Sequence, residues 1–558
     1  MTRVLELARK LLPSLADYRD LRTTWKKDLL AGVTVGIVAL PLALGFGVSS
    51  GVSAEAGLVT AIVAGMLAAV FGGSNVQVSG PTGAMVVVLL PIVATHGVAT
   101  VATVSVLAGI IVLLAGVLRL GQVVSFIPWP VIEGFTMGIG ITIFLQQVPL
   151  LTSPVRAGPG EHSSNTVVAA AQSLAEADWG YLPWTLAAAA VVVVAMLWAP
   201  RIHPAIPGSL VGIIVVTVIS LLVDTPLAVI GELPSSLPIP TLPPLDPGLV
   251  GQLLAPAATV AALAAIESLL SARVAASMED TGPYDADREL VGQGLASIGS
   301  GFFGGMPATG AIARTAVNIR SGGRTRLASI THALVLLLVV LVAAGPVGAI
   351  PLAALGGILM VTAVRMVNLT TMKAIMGSTR ADAIGFVLTA VVTVAFDLIV
   401  AVMVGMVILG IVAIRNMSRA TNVTREPIRG QAHPEDDSIA ILRFDGPLIF
   451  AAADRVFDAT MKISGVNVVI LRMSQLELLD ASGAHVLSDI VTGLERRGIT
   501  VLLKGVQPGH EQIFRSVGVV DSLRHDRHLF IAMADALAHA RSHVQRIRQA
   551  GEAQPAVG

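Results

Sequence analysis

Apolar stretches long enough to cross a lipid bilayer follow one another from about residue 28 to about residue 415. The clearest are 28–48, 56–71, 99–118, 184–200, 207–223, 255–272, 327–345 and 380–415, and the last has room for two closely spaced helices. With 54% hydrophobic and 13% charged residues, the chain is too apolar for a soluble protein. These stretches predict an all-α polytopic membrane domain of about fourteen spans over 28–416.

Charged residues in the loops predict how this domain is inserted. The segment 224–252 contains three acidic residues and no Lys or Arg, which is typical of an external loop. The segments 320–326, 365–380 and 415–429 are basic, which is typical of cytosolic loops. We therefore expect a multi-pass protein of the inner (plasma) membrane, with a cytosolic N-terminal segment over 1–27 and both termini in the cytosol.

The composition after about residue 429 is that of a soluble domain. Residues 438–444, 466–473 and 499–504 have the pattern of strands, and 482–496 and a segment after Asp526 have the pattern of amphipathic helices. The pattern predicts an α/β domain over 438–545, preceded by a polar linker over 417–437 and followed by a disordered tail over 546–558.

A short motif occurs twice within the membrane domain. Residues 80–85 read Gly-Pro-Thr-Gly-Ala-Met, and 306–312 read Met-Pro-Ala-Thr-Gly-Ala-Ile. An Ile-Pro pair followed six residues later by Gly also recurs, at 127–134 and 350–357, and the two offsets are 227 and 223 residues. Two halves of about seven spans are indicated, and halves with an odd number of spans are inserted in opposite senses. In such inverted repeats, Gly- and Pro-interrupted segments at matching positions mark the substrate site.

The two Thr-Gly-Ala segments are interpreted as the starts of broken helices. Pro81 and Pro307 suit a first helical turn, where a missing N–H costs nothing. Two helix N-termini meeting inside the membrane would offer backbone donors and partial positive charge to an anion. The alternative is that both motifs are close-packing sites for crossing helices. The substrate-binding residues predicted from this pair are Thr82, Gly83, Ala84, Thr309, Gly310 and Ala311.

Arg314 lies four residues beyond Gly310, near the start of the second broken helix. An arginine facing lipid there costs about 2.5–3.5 kcal/mol, so we expect it to face protein, water or substrate. It would then add a full positive charge to the anion site. The alternative is an arginine near a cytosolic helix end that extends outward to water.

Glu267 lies deep in an apolar helix, where an ionisable residue indicates a functional site. It is predicted to carry a coupling proton, because a low-dielectric environment favours the neutral carboxyl group. Coordination of Na⁺ together with Ser271, one turn away, is an alternative, and so is a structural role capping a neighbouring broken helix. Glu133 is a second intramembrane acid, but it lies nearer the start of a span.

Several runs resemble the SulP family of anion transporters. Residues 28–32 and 39–46 resemble the first helix of that family, and residues 267–273 resemble its eighth helix. Residues 288–294 and 304–315 are close to signatures of the family. The soluble region resembles a STAS domain, so the resemblance covers nearly the whole chain. It implies a seven-plus-seven inverted repeat with core and gate domains, usually dimeric, that binds substrate between the third and tenth helices. It also implies that Phe46 contributes to the substrate site.

The resemblance implies a substrate among sulfate, bicarbonate and C4-dicarboxylates, and we expect sulfate first. Sodium-bicarbonate members resemble 31–72 strongly, but they have Asp at the Glu267 position and Thr at the Ser271 and Ile312 positions. Ile312 offers no side-chain oxygen, and proton-coupled dicarboxylate members are more similar over 265–320. These differences from the sodium-bicarbonate members favour H⁺ over Na⁺ as the coupling ion. An uncoupled exchanger or channel, and a sensor whose STAS domain recruits a partner, are the other functions considered.

Other features restrict the chemistry. The chain has no Cys and no Walker A motif, so thiolate chemistry and its own ATP hydrolysis are excluded. We predict no enzymatic activity, cofactor or nucleic-acid partner; the expected partners are a small anion, membrane lipid, a second copy of the chain and a cytosolic protein bound through the STAS domain. No metal site is predicted, and His433, His485, His510, His525 and His528 are expected at the surface.

Ser482 is a candidate regulatory site within the STAS-like region. The run 479–483, Leu-Asp-Ala-Ser-Gly, resembles the loop whose Ser is phosphorylated in bacterial anti-sigma-factor antagonists. Phosphate at a helix N-terminus is electrostatically favourable, although Asp480 lies beside it. The alternative, which we favour, is that Ser482 simply caps the helix.

Overall fold

The computed structural model describes residues 11–122, 128–153, 165–203, 207–278, 284–395 and 398–552. The chain divides into two compact units, Met1–Met406 and Val407–Gly558. Parts of the predicted terminal segments, before residue 11 and after residue 552, lie outside the described residues, as does Ile127 of the repeated Ile-Pro pair.

The first unit consists of helices. Eight helical segments of the described chain are long and apolar enough to cross a membrane. The helices are α1 (Leu21–Ser49), α2 (Ala54–Phe71), α3 (Gly83–His96), α4 (Val101–Val117), α5 (Trp129–Gln146), α6 (Val148–Thr152), α7 (Thr166–Ala175), α8 (Leu182–Ile202), α9 (Gly208–Leu222), α10 (Pro247–Met278), α11 (Ala286–Phe302), α12 (Ile312–Arg320), α13 (Arg326–Gly348), α14 (Leu352–Met366), α15 (Leu369–Met376), α16 (Arg380–Ala395) and α17 (Leu398–Ala420), the last continuing into the second unit.

The order of these helices fits the predicted repeat. Apart from the short α6, α7 and α15, the described chain contains seven helices up to α9 and seven from α10 onward. The third helix of each half, α3 or α12, follows a two-residue strand, β1 (Ser79–Gly80) or β2 (Thr309–Gly310). The run 380–415 is two helices, α16 and α17, as its length indicated. Helix α1 begins at Leu21, so the last residues of the predicted N-terminal segment are already helical.

The helices of the first unit form two groups. Helices α1–α4 pack against their counterparts α10–α13, with the most extensive contact between α4 and α11. Helices α5, α8 and α9 pack with α14 and α16 in a second group. The groups meet where α1 contacts α9 and α14 and where α3 contacts α5. The first group is the expected core domain and the second the expected gate domain.

Glycines allow the backbones of α4 and α11 to approach closely. A methyl group at Gly294 of α11 would lie 2.6 Å from the backbone nitrogen of Leu113, and one at Gly109 of α4 would lie 2.7 Å from the carbonyl oxygen of Gly294. Neither distance is tolerated by a real Cβ atom, and the opposing atoms are backbone atoms that cannot rotate away. Small residues at such crossings are what membrane helices use to pack, since lipid offers no hydrophobic driving force between them.

The backbone groups of the extended chain before β1 form hydrogen bonds with side chains of the second half. The Val78 N–H donates to Thr315 Oγ1 (3.0 Å), and Asn318 Nδ2 donates to the carbonyl oxygen of Val76 (2.7 Å). The Ser329 hydroxyl donates to the carbonyl oxygen of the intervening residue, Gln77 (2.7 Å). Backbone groups outside a helix are tolerated at membrane depth only when protein or water satisfies them.

The backbone groups of the matching chain before β2 form hydrogen bonds with side-chain hydroxyl groups. The Met306 N–H donates to Thr60 Oγ1 (2.8 Å), and the Met306 carbonyl oxygen accepts from Ser300 Oγ (2.7 Å). The Ala308 N–H donates to Ser297 Oγ (3.2 Å). Both interruptions are therefore built into the core domain by specific polar partners.

The second unit is a five-stranded sheet with helices on both faces. The strands β3 (Asn422–Glu426), β4 (Ile439–Leu448), β5 (Val468–Leu479), β6 (Thr500–Lys504) and β7 (Leu529–Phe530) lie side by side in that order. β3 is antiparallel to β4, and the other pairs are parallel. Helix α19 (Ala481–Arg496) contributes to the core on one face, with α18 (Ala453–Met461) and α20 (Pro508–Ser516) on the same side. Helix α21 (Met533–Glu552) covers the other face with Ala536, Ala540 and Val544.

Three expectations for this region are wrong. The predicted linker 417–437 contains the end of α17 and the edge strand β3, whose Glu426 accepts hydrogen bonds from Arg443 (3.0 Å) and Arg472 (2.7 Å). The predicted disordered tail is helical as far as residue 552, because α21 continues beyond the apolar stripe that holds it on the sheet. His528, expected at the surface, is only 1% exposed, because it lies between the sheet and α21.

We predict that Gly294→Ala destabilises the first unit, because its methyl group meets backbone of α4. Overpacking of this kind costs about 1–3 kcal/mol. Gly251→Ala is the matched control, because Gly251 also lies inside a helix but no atom of the described residues lies within 4 Å of its added methyl group. Thermal unfolding in detergent, followed by size-exclusion chromatography, should show a lower midpoint for Gly294→Ala only. Equal midpoints for both variants would contradict the close crossing.

Candidate anion site

The two broken helices meet at an antiparallel strand pair. Ser79 pairs with Gly310, and Gly80 pairs with Thr309. Helix α3 then begins at Gly83 after the N-cap residue Thr82, and α12 begins at Ile312 after the N-cap residue Ala311. Matching segments of an inverted repeat run in opposite directions, so this pairing is what the repeat requires where its halves cross.

The N-termini of α3 and α12 are free of side-chain caps. Thr82 and Ala311 both have extended backbone conformations, and neither side chain accepts a hydrogen bond from a first-turn N–H of its helix. Each N-terminus carries roughly half a positive charge. The arrangement therefore presents two electropositive helix ends to the same region, as the sequence predicted.

The positions of the two prolines differ from prediction. Pro81 precedes the N-cap of α3, and Pro307 precedes β2, so neither lies in a first helical turn. Both interruptions extend further than the motif suggested, because the chain forms β1 and β2 before each helix starts. Pro81 instead contributes its carbonyl oxygen, which accepts a hydrogen bond from Arg314 Nη2 (2.6 Å).

Arg314 connects the two halves from within the protein. Its side chain is 2% exposed, so it does not extend outward to water. Gly80 adopts a φ of +150°, and a methyl group there would lie 2.8 Å from Arg314 Nη1, so the guanidinium group passes directly over this glycine. Among the described residues, Nη1 is buried and has no hydrogen-bond partner. Arg314 thus holds a positive charge and an unused donor beside the start of α3.

Glu267 contacts the N-cap residue of the same helix, α3. The Thr82 hydroxyl donates to Glu267 Oε2 (2.9 Å), and the charges of Glu267 and Arg314 interact across the site. The Glu267 side chain is partly exposed, whereas the next residue of α10, Ser268, is fully buried. Glu267 is therefore less enclosed than its neighbour Ser268 on α10.

Ser268 is a site residue that the sequence analysis missed. Its hydroxyl is 2.9 Å from Thr309 Oγ1 and accepts from the Gly310 N–H (3.1 Å), so it holds β2 in place. Ser271, the predicted Na⁺ ligand, is fully buried and lies 3.5 Å from Thr315 Oγ1. The sequence feature that could have identified Ser268 is its hydroxyl group next to Glu267, in the same turn of an apolar helix.

Phe46, which the family resemblance assigned to the substrate site, lies against the start of α3. It is 6% exposed, and a methyl group at Gly83 would lie 3.4 Å from Phe46 Cε1. The same methyl group would lie 2.2 Å from Cδ1 of Ile143 on the gate helix α5, a residue that the sequence analysis did not single out. Gly83 is therefore enclosed by both groups of helices, which places the site where core and gate meet.

Glu133 lies apart from the residues of the candidate anion site. Its Oε1 accepts a hydrogen bond from the indole N–H of Trp129 one turn earlier in α5 (3.1 Å). The contact is local to the start of the helix.

Ser482 does not cap its helix in the second unit. Helix α19 begins at Ala481, and its N-cap is Asp480, whose Oδ1 accepts from the Gly483 N–H (2.7 Å). The other carboxylate oxygen of Asp480 accepts from the Phe450 N–H (2.9 Å). The favoured interpretation of Ser482 as the cap is therefore wrong, because Asp480 is held in that position by two backbone donors. Ser482 itself is exposed in the first turn.

Two broken helices crossing at the centre of an inverted repeat define a class, that of integral membrane transporters with core and gate domains. Residues 25–392 match the sulfate permease family, and residues 432–536 match the STAS domain. The chain therefore belongs to the sulfate permease family, a family of anion transporters, and carries a C-terminal STAS domain. The resemblance found in the sequence is confirmed.

Curated relatives and solved structures agree with this assignment. The chain is 33% identical over 507 residues to the putative sulfate transporter YvdB of Bacillus subtilis, covering 89% of this chain and 94% of that protein. It is 34% identical over 461 residues to the bicarbonate transporter BicA of Picosynechococcus, covering 77% and 79%. The solved transmembrane domain of a cyanobacterium bicarbonate transporter BicA aligns with a TM-score of 0.59 at 32% identity, covering 70% of this chain and 97% of that one. The structure of SLC26A9 aligns with a TM-score of 0.81 at 19% identity, covering 98% and 95%, which shows the likeness of the fold.

We predict that Arg314→Ala weakens anion binding at least roughly tenfold, because a hydrogen bond to a charged group contributes about 1.5–3 kcal/mol. Arg365→Ala is the matched control, since Arg365 Nη2 also donates to a carbonyl oxygen, that of Met196, but within the gate domain. Binding would be measured by titrating the anion against purified, folded variants. Unchanged affinity in Arg314→Ala would remove this residue from the site.

Proposed function

We propose that this chain is a secondary active transporter that moves a small anion together with a proton. The observation that carries the proposal is the hydrogen bond from Thr82 Oγ1 to Glu267 Oε2 (2.9 Å). It places an ionisable carboxyl group at the end of α3, where the anion is expected to bind and where Arg314 has an unused donor.

Electrostatics couples the two ligands in this arrangement. Ionised Glu267 offsets the charge of Arg314 and competes with an incoming anion for the positive end of α3. Protonation of Glu267 removes that competition, so anion affinity rises. By reciprocity of binding free energies, a bound anion favours the protonated carboxyl group to the same extent. Movement of the gate domain past the loaded core site would then transfer both together.

Sodium coupling is the alternative, and the donor set argues against it. A Na⁺ ion needs several oxygen ligands around the carboxylate. Ile312, at the start of α12, supplies none from its side chain, and Ser271 is buried beside Thr315. Ser268 is likewise engaged with Thr309 and Gly310.

Sulfate is the first proposed substrate, with bicarbonate and small dicarboxylates next. The names of the relatives support this order, since one is a putative sulfate transporter and another a bicarbonate transporter. The site also suits an oxyanion, because a guanidinium donor and backbone N–H groups recognise anionic oxygens well.

We further propose a plasma-membrane location with both termini cytosolic. The basic segments 320–326 and 365–380 and the acidic segment 224–252 support this orientation. A homodimer and a cytosolic partner for the STAS domain are proposed from the family alone.

Glu267→Gln should abolish accumulation driven by a proton gradient while leaving anion exchange partly intact, because glutamine is neutral and cannot release a proton. Glu133→Gln is the control, since it removes a membrane-domain carboxylate outside the site. Uptake and counterflow of labelled anion in proteoliposomes would separate the two activities. Normal accumulation by Glu267→Gln would contradict its coupling role.

The function itself is tested by uptake of labelled sulfate, bicarbonate and succinate under an inward proton gradient, with and without Na⁺. We expect accumulation of one of these anions that follows the proton gradient and does not require Na⁺. Dependence on Na⁺ would favour the alternative symporter. Transport that depends on neither the proton gradient nor Na⁺ would identify an exchanger or channel.

A further inference from the structure

Three histidine side chains converge in the STAS domain, far in sequence from the anion site. His528 lies directly before β7, and His539 and His543 lie one turn apart on α21. One ring nitrogen from each lies within 4.8 Å of those from the other two. The ring centroids are 5.5 Å apart for His528 and His539, 5.6 Å for His528 and His543, and 4.9 Å for His539 and His543.

Two of these rings have buried nitrogen atoms without a partner. His528 is 1% exposed, and its Nδ1 has no hydrogen-bond partner among the described residues; the same is true of the buried Nε2 of His539. The backbone of Val501 hydrogen-bonds the His528 ring, which orients it. Buried polar atoms are usually satisfied, so unpartnered nitrogens within a cluster of three histidine rings point to a missing ligand.

The hydrogen bond between the His528 ring and the Val501 backbone uses Nε2, because Nδ1 has no partner among the described residues. An orienting hydrogen bond on one ring nitrogen leaves the other free for a metal ion, and this arrangement is typical of metal-binding histidines.

We propose that His528, His539 and His543 bind one divalent transition-metal ion, with Zn²⁺ as the first candidate. Imidazole nitrogens suit Zn²⁺, Cu²⁺ and Ni²⁺. A tetrahedral zinc site needs its ligand nitrogens roughly 3.4 Å apart, so the three rings need only a small contraction. His539 and His543 are partly exposed, which allows this movement and leaves water access to the fourth position.

Positive charges near His543 reduce the affinity of this cluster for a cation. The charges of Arg546 and Arg524 act on His543 and oppose a cation, although Arg524 is paired with Glu495 Oε2 (2.7 Å). His525, whose ring is 5.6 Å from that of His528, is the remaining histidine nearby and is exposed.

A bound ion would tie the C-terminal helix to the sheet. His528 belongs to the segment that leads into the edge strand β7, and the other two ligands belong to α21. Occupancy would therefore stabilise the packing of α21 and make this part of the STAS domain responsive to metal concentration. The proposal does not depend on the proposed transport function.

The test uses the full-length chain in detergent, purified without a polyhistidine tag and treated with a chelator. The protein is dialysed against Zn²⁺, and bound zinc is counted by mass spectrometry. We expect one zinc per chain and a rise in the unfolding midpoint. The absence of Cys excludes thiolate sites as a competing source of bound zinc.

The variant is the double substitution His539→Gln and His543→Gln, which leaves the buried His528 in place. It should bind zinc at least about tenfold more weakly. Loss of a residue that only supports a metal ligand already lowers metal affinity by about 10- to 100-fold, and this variant removes two proposed ligands. The control is His433→Gln with His485→Gln, two exposed histidines of the same unit, which should bind like the unmodified chain. Replacement of Zn²⁺ by Co²⁺ should give the visible absorption of a tetrahedral site. Zinc binding that is absent from the unmodified chain, or unchanged in His539→Gln with His543→Gln, would overturn the proposal.

Discussion

The structure of the membrane domain depends on satisfying the backbone of two chain segments that are not helical. Inside a bilayer an unpaired N–H or C=O costs several kcal/mol, so a broken helix survives only with dedicated partners. Here several partners come from the opposite half of the repeat: Thr315 and Asn318 for the chain before β1, and Thr60 for the chain before β2. Ser297 and Ser300, in the same half as β2, supply the others for the chain before β2. The strands then pair with each other. Each half thus contributes hydrogen-bond partners to the interruption of the other.

The charges of the site follow from that arrangement. Because the N-cap side chains of α3 and α12 leave the first-turn donors uncapped, the partial positive charges remain available at the crossing. Arg314 adds a full charge, held to the first half by its hydrogen bond to the Pro81 carbonyl oxygen. Glu267 is the one acidic group placed directly at this end of α3 within the described chain, through the Thr82 hydroxyl. The net charge of the candidate site therefore depends on the ionisation of Glu267, and the proposed coupling rests on this dependence.

The sequence predicted the helices, the repeat and the two broken helices that frame the candidate site, because those features are local or recur at a fixed offset. The Thr-Gly-Ala runs located both helix starts, and intramembrane charge identified Arg314 and Glu267. Ser268 and Ile143 were missed because their roles arise only when α10 and α5 pack against the crossing. The polar sequence of β3, Asn-Val-Thr-Arg-Glu, does not distinguish it from a linker, because it becomes a strand only through pairing with β4. Likewise, the spacing of His539 and His543 was visible in the sequence, but only the fold brings His528 to them.

The central claim, that the anion binds between the starts of α3 and α12, is tested most directly by locating a bound anion. The measurement is an anomalous difference map from crystals of the protein with a heavy-atom analogue of its substrate, selenate if sulfate is transported. The account predicts a peak between these two helix ends, within hydrogen-bonding distance of Arg314 Nη1. A peak elsewhere, with Nη1 still lacking a ligand, would contradict it.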